Sequence, residues 1–298
     1  MKNKERLSGV FVPMVTPFRD DEIFFEGLIE NIQKLNETGL KGYFVLGTNG
    51  EFKSLSVEER IKILETVVEY AADDKIVMAG TAEESTKETI DISLEAAKIG
   101  VSQISLLMPH FFRKYIDDDV LINYIVEVAD ASPVPVVLYN NPSVAAGLLI
   151  SKGVVKAVSD HLNVIGMKDS SRGNYKDYIT AANEDFYLMA GSASFFFEAL
   201  QAGAVGGVLS LANVFPEECV KLYTLYTENK MVKAEEQNKK IIDLNKKVSG
   251  FGGVAAVKGA MDLVGYNGGS PRRPLKSLTE EEKKTLKENV MEYGFIRG

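Results

Sequence analysis

Lys168 stands where a short apolar run turns polar, in the series Val164, Ile165, Gly166, Met167, Lys168, Asp169, Ser170, Ser171. The β-branched residues predict a buried strand, and an amine delivered at its end is poorly solvated. Poor solvation favours the neutral form, so such a lysine is a nucleophile near neutral pH and can condense with a ketone to give a Schiff base. The competing reading is a strand-end lysine reaching for water or for a carboxylate such as Asp169, the commoner fate of a lysine. Further chemistry-bearing residues sit at the ends of other predicted strands: Thr48 after the second, Tyr139 ending the fifth, Gly191 after the seventh and Ser210 closing the eighth. The series Gly47, Thr48, Asn49, Gly50, Glu51 has the composition of a tight turn. The same turn can aim successive backbone N–H groups at an anion such as a carboxylate.

Strand ends so far apart in sequence meet only if the strands run parallel. Apolar runs at 10–15, 43–46, 76–79, 104–108, 134–139, 164–167, 186–190 and 205–210 alternate with stretches of helical periodicity. Ser56 with Glu59 and Ser85 with Glu88 have the spacing of capping boxes that open helices. Gly39, Gly100 and Gly203 each precede the next apolar run and are expected to end helices in the left-handed region. Eight strand-helix alternations with short links predict parallel βαβ units, an α/β class, and closure as a (β/α)8 TIM barrel. No dinucleotide-type glycine fingerprint follows the first strand, so an open doubly wound sheet is the lesser alternative. Beyond residue 210 the strands stop, and helices are expected at 216–226, 230–247, 255–264 and 279–289. The expected organisation is a catalytic barrel over 1–213 and a C-terminal helical region over 214–298 packed on it. Arg272 and Arg273, in the Gly/Pro/Arg loop 268–274, read either as an anion site or as a solvated loop.

The chain has 298 residues, 45% hydrophobic and 26% charged, with a formal net charge of −8. No Lys/Arg run stands out, which argues against nucleic-acid and anionic-membrane partners, and an anionic substrate would need a locally electropositive site. One cysteine, Cys219, excludes an internal disulfide and fits a reducing compartment; it reads as a half-buried helix thiol. Residues 1–8 are charged and no long uncharged apolar stretch follows, so neither signal peptide nor membrane span is expected, and the location is read as cytoplasmic.

The turn Gly47 to Glu51, the segment Tyr139, Asn140, Asn141, Pro142 and the strand end Gly166, Met167, Lys168, Asp169 resemble the dihydrodipicolinate synthase and N-acetylneuraminate lyase family of class I aldolases. The resemblance covers nearly the whole chain. Within the family, Gly47 to Phe52, Gly166 to Ser170, Ala190 to Phe195 and Gly265 to Leu275 are most similar to 4-hydroxy-2-oxoglutarate aldolases. It implies a (β/α)8 barrel, a homotetramer, and pyruvate with a small aldehyde or 2-oxo acid as partners, without metal or organic cofactor. By position it makes Lys168 the Schiff-base amine, Tyr139 the proton shuttle and Thr48 its hydroxyl partner. Thr48 and Asn49 would hold the pyruvate carboxylate, with Ser170, Gly191 and Ser210 lining the pocket.

Three departures bear on the second substrate. The family's tyrosine pair after the fourth strand is replaced by Phe111 and Phe112, rings suited to a subunit contact. Adjacent His110 reads either as a substitute acid/base group or as a structural histidine, and His161 as structural. After Pro142 the loop runs Ser143, Val144, Ala145, Ala146, Gly147, without the arginine that synthases use for the carboxylate of aspartate semialdehyde. Arg172 either replaces that cation or is a surface residue. After Gly191, the residues Ser192, Ala193, Ser194 and Phe195 offer no acidic partner for a sugar tail. The leading reading is a pyruvate-dependent aldolase acting on a 4-hydroxy-2-oxo acid. Dihydrodipicolinate synthase is the runner-up, and a non-catalytic binding protein on the same barrel is a third.

Overall fold

The computed structural model describes residues 1–294. Its strands are β1 (Gly9–Pro13), β2 (Phe18–Arg19), β3 (Glu22–Ile23), β4 (Gly42–Val45), β5 (Ile76–Gly80), β6 (Gln103–Leu107), β7 (Val136–Asn140), β8 (Val164–Asp169), β9 (Tyr187–Ala190) and β10 (Gly206–Val208). All except β2 and β3 close a barrel in the order β1-β10-β9-β8-β7-β6-β5-β4. The strand pairs run parallel, and their residues are buried on both faces, hence the near-continuous apolar runs. The eight barrel strands fall where the apolar runs predict them. The short antiparallel strands β2 and β3 are not among the predicted runs, and Asp20 and Asp21 join them. Asp20 and Asp21 have φ 52 and φ 70, the left-handed pair a two-residue hairpin needs, and strands of two residues carry no periodicity to detect.

Internal contacts divide the chain into two compact units, Met1–Gly9 with Ile76–Val208, and Val10–Lys75 with Leu209 onward. The first contains β5 to β10 and the helices α1 (Asn3–Leu7), α4 (Thr86–Ile99), α5 (Asp118–Ala131), α6 (Lys152–Val158), α7 (Tyr175–Ala181) and α8 (Phe196–Ala202). Val136, Val137, Leu138 and Met167 are fully buried, and each such side chain contributes about 1.5–3 kcal/mol of burial free energy. Helices α4 and α8 end at Gly100 (φ 106) and Gly203 (φ 114), the left-handed caps the sequence predicts. Ser85 caps α4 by accepting from the Glu88 amide, but Glu88 returns its carboxylate to the Ser85 hydroxyl, so the box is closed through side chains.

The second unit holds β1 to β4, then α2 (Phe25–Asn36) and α3 (Val57–Tyr70), and the helices α9 (Pro216–Thr227), α10 (Met231–Lys247), α11 (Ser249–Leu263) and α12 (Glu280–Met291). Phe11, Tyr43 and Phe44 form its buried centre. Ser56 and Glu59 make the predicted reciprocal box at the start of α3. Gly39 is not the cap of α2, which ends at Asn36. A Cβ on Gly39 would lie 2.9 Å from Val220 Cγ1, so this glycine permits the close approach of α9 rather than a left-handed turn. Helix α11 begins earlier than predicted because a first turn from Ser249 is joined across a kink at Gly252 and Gly253. Cys219 in α9 is fully rather than half buried, and burial pushes its thiol well above the usual range. Among the described residues, no helix is long and apolar enough to cross a membrane.

Candidate active site

In the first unit the parallel register of β7 and β8 sets Tyr139 beside Lys168 and Asn140 beside Asp169. Successive strand residues face opposite ways, so the first pair shares one face and the second pair the other. Lys168 and Tyr139 are each 4% exposed, and Lys168 Nζ lies 3.8 Å from the Tyr139 ring centroid. Burial pushes the ammonium below its ordinary value, opposed only in part by the charge and hydrogen bonding of Tyr139. The Tyr139 oxygen accepts from Asn141 Nδ2 at 2.8 Å, and Asn141 Oδ1 accepts from Ser143 Oγ at 2.6 Å. The phenol is thus oriented by its own strand end.

The opposite face carries a hydrogen-bond network to which none of the sequence motifs assigns a role. Asp169 Oδ1 accepts from Asn140 Nδ2 at 2.8 Å, Ser171 N at 3.0 Å and Ser171 Oγ at 2.7 Å. Asn140 Nδ2 also donates to the Tyr178 oxygen at 3.1 Å, and Tyr178 donates to the Ile150 carbonyl at 2.8 Å. Asp169 therefore serves Asn140 and Ser171, and desolvation pushes its carboxyl above the usual range against those hydrogen bonds. Ser170 donates its amide to the Asn140 carbonyl and Gly191 to the Asp169 carbonyl, which draws both predicted pocket residues to the Lys168 strand end. Gly191 has no room for a side chain: a Cβ would meet Ser170 Oγ at 2.0 Å and the Asp169 carbonyl at 2.7 Å. A clue to this network lies in strand alternation, which sends the residue after each inward-facing one outward.

The second unit gathers Thr48, Asn49 and Ser210. The turn after β4 closes through Gly50 N to Gly47 O and Glu51 N to Thr48 O, both 3.1 Å, and Thr16 Oγ1 donates to the Gly50 carbonyl at 2.8 Å. Asn49 Nδ2 donates to Ser210 Oγ at 2.7 Å. Leu46 (φ 59) and Glu51 (φ 53) flank the turn in the left-handed region, a conformation that costs about 1–3 kcal/mol per residue without glycine.

A model of the dihydrodipicolinate synthetase family matches residues 6–293. The chain belongs to the dihydrodipicolinate synthetase family. It is 32% identical to a probable mitochondrial 4-hydroxy-2-oxoglutarate aldolase of Emericella nidulans over 98% of this chain and 96% of that protein. It is 30% identical to a 4-hydroxy-tetrahydrodipicolinate synthase of Methanopyrus kandleri over 98% of each. A crystal structure of a dihydrodipicolinate synthase, 29% identical, superposes with a TM-score of 0.91 over 97% of this chain and 100% of the other. Like the rest of the family, this chain is a carbon–carbon lyase of the aldolase type that forms a lysine Schiff base with pyruvate.

Around this family core, the charged residues raised by the sequence take definite places. His110 Nδ1 lies 3.0 Å from the Met108 carbonyl, which can only accept, so that nitrogen carries the proton. Glu84 lies 3.4 Å from the same ring nitrogen and also accepts from the amides of His110 and Phe111. His161 is held by Asp130 and by the Asn163 amide, the structural role expected of it. Arg172 is exposed, at φ 57. Arg272 is neither a solvated loop residue nor an anion site, because its guanidinium grips both oxygens of Glu59 and the carbonyls of Asp21 and Ser54. Arg273 pairs with Asp21 at the surface.

Proposed function

We propose that this family member interconverts a 4-hydroxy-2-oxo acid, such as 4-hydroxy-2-oxoglutarate, with pyruvate and a small aldehyde or 2-oxo acid, using Lys168 as the amine. The observation that carries the reading is the buried, charge-disfavouring position of Lys168 against the Tyr139 ring. Neutral Nζ attacks the ketone carbon to give a carbinolamine, which loses water to become a protonated imine. In cleavage the C3–C4 bond breaks, its electron pair goes to C3 as an enamine, and the 4-hydroxyl gives up its proton as the aldehyde forms. Tyr139 takes that proton, with Thr48 as its hydroxyl partner. The enamine is then protonated at C3, and hydrolysis of the imine frees pyruvate. Thr48 and Asn49 hold the carboxylate, and Ser170, Gly191 and Ser210 line the pocket.

The substrate assignment is supported by the loop after Pro142, which offers no guanidinium for aspartate semialdehyde, and by the small residues after Gly191. It is supported also by similarity to the fungal aldolase. Borohydride reduction in the presence of pyruvate, followed by peptide mapping, is expected to place the adduct on Lys168; an adduct elsewhere, or none, refutes the assignment. Condensation of pyruvate with glyoxylate but not with aspartate semialdehyde supports the aldolase, and the reverse supports the synthase.

We infer a homotetramer on the same family basis. Phe111 and Phe112 are 78% and 63% exposed and pack edge to face on one another, so aspartate at both is expected to lower the mass measured by light scattering.

A further inference from the structure

Glu51, the last residue of the Gly47–Glu51 turn, is 5% exposed. Lys258 of α11, whose side chain is fully buried, pairs with Glu51 Oε1. Lys258 Nζ also donates to the Ser270 carbonyl at 2.9 Å and lies 4.5 Å from the Phe18 ring centroid. The other carboxylate oxygen of Glu51 accepts from the Arg272 amide at 2.8 Å. The same Arg272 grips Glu59 of α3 through its guanidinium. The segment bearing these contacts is itself anchored, since Asp262 of α11 accepts from the amides of Gly268 and Gly269, and Ser270 donates its amide to Phe18 of β2. The two contacts of Glu51 tie the turn after β4 to α11 and to the loop between α11 and α12, and the others fix that loop to α11, β2 and α3.

Taking two charges out of water costs several kcal/mol per ion, and apolar residues of similar volume often hold a core as well or better. The pair therefore needs a reason beyond stability. Two are available at this position. The turn is strained at Leu46 and Glu51 and stays in that shape only while its surroundings hold it. An unneutralised carboxylate two residues from Asn49 would also repel a substrate anion in a medium of low dielectric. Lys258 answers both needs, because it fixes the Glu51 carboxylate and cancels its charge.

Resting on the carboxylate role proposed above for Thr48 and Asn49, we propose that Glu51 and Lys258 are positioning residues for the carboxylate end of pyruvate. They clamp the turn to α11, and Arg272 fastens the clamp to α3. The C-terminal helical region thereby shapes substrate affinity without touching the reacting carbons.

The test is borohydride trapping of the full-length enzyme with pyruvate and, separately, with butanone, a ketone without a carboxylate. The variants are E51Q/K258M, which removes both charges together so that neither is left buried alone, and R272Q. In E51Q/K258M the half-saturating pyruvate concentration is expected to rise about tenfold, with the trapping rate at saturation and the butanone dependence changed less than about threefold. R272Q is expected to shift pyruvate in the same direction by about threefold, and decides the matter if the double variant does not fold. An unchanged pyruvate dependence overturns the proposal, as does a loss shared equally by butanone, which marks a purely structural role. Failure of the wild-type protein to form a pyruvate adduct on Lys168 would instead remove the function proposed above.

Discussion

Lys168→Met should abolish the pyruvate adduct and at the same time stabilise the fold. Lys168 is 4% exposed, and the lowered pKa of its ammonium is net of what Tyr139 returns. The folded state therefore disfavours the charge even after the contact with the phenol is counted. Methionine keeps the length and apolar stem of lysine and removes the buried charge, a substitution worth about 1–3 kcal/mol of added stability at pH 7. For a chain of 298 residues that corresponds to a rise of about 2–5 °C in Tm. Because the folded-state pKa of Lys168 is depressed, the unfolded chain binds the proton more tightly, and wild-type stability rises with pH from the folded towards the unfolded value. The variant has no such group, so its advantage should shrink between pH 7 and pH 10. Differential scanning calorimetry at both pH values measures this. A variant that melts below wild type at pH 7, or an advantage that does not narrow with pH, would refute the account of Lys168 as a charge held against its own solvation.

The same depressed pKa should appear in chemistry: at low pyruvate, the trapping rate should rise with pH and level off below the ordinary lysine value of 10.5, and a profile still climbing there contradicts it. Gly191→Ala places a Cβ 2.0 Å from Ser170 Oγ, so a loss of about 1–3 kcal/mol in urea unfolding is expected, together with a fall in adduct yield; a neutral result shows that the end of β9 yields freely. Tyr178→Phe removes the hydrogen bond to the Ile150 carbonyl and should cost about 1–2 kcal/mol, read by chemical denaturation, while the half-saturating pyruvate concentration holds; a shift in that concentration instead would bring the outer network into substrate binding.

Local pattern was enough to specify the strand-helix alternation, because burial on both faces of a parallel strand and on one stripe of a helix writes itself into residue spacing. It also brought out Lys168, since an amine at the end of an apolar run is chemically conspicuous wherever the chain goes. The fate of Asp169 was open in sequence. A residue beside an inward-facing one points outward, but which partners await it depends on how β7, β8 and α7 pack. Arg272 shows the same limit more sharply. Its loop is rich in Gly and Pro, yet its partners Asp21, Ser54 and Glu59 lie more than two hundred residues earlier. Glu51 and Lys258 carry no spacing that links them, because a buried ion pair between a turn and a distant helix comes into being only when tertiary packing removes the water around both. Periodicity thus determined the barrel, and residue chemistry singled out the Lys168 amine. The hydrogen-bonded and ionic supports that hold the site in shape were decided by the folded structure alone, since those partners become neighbours only in three dimensions.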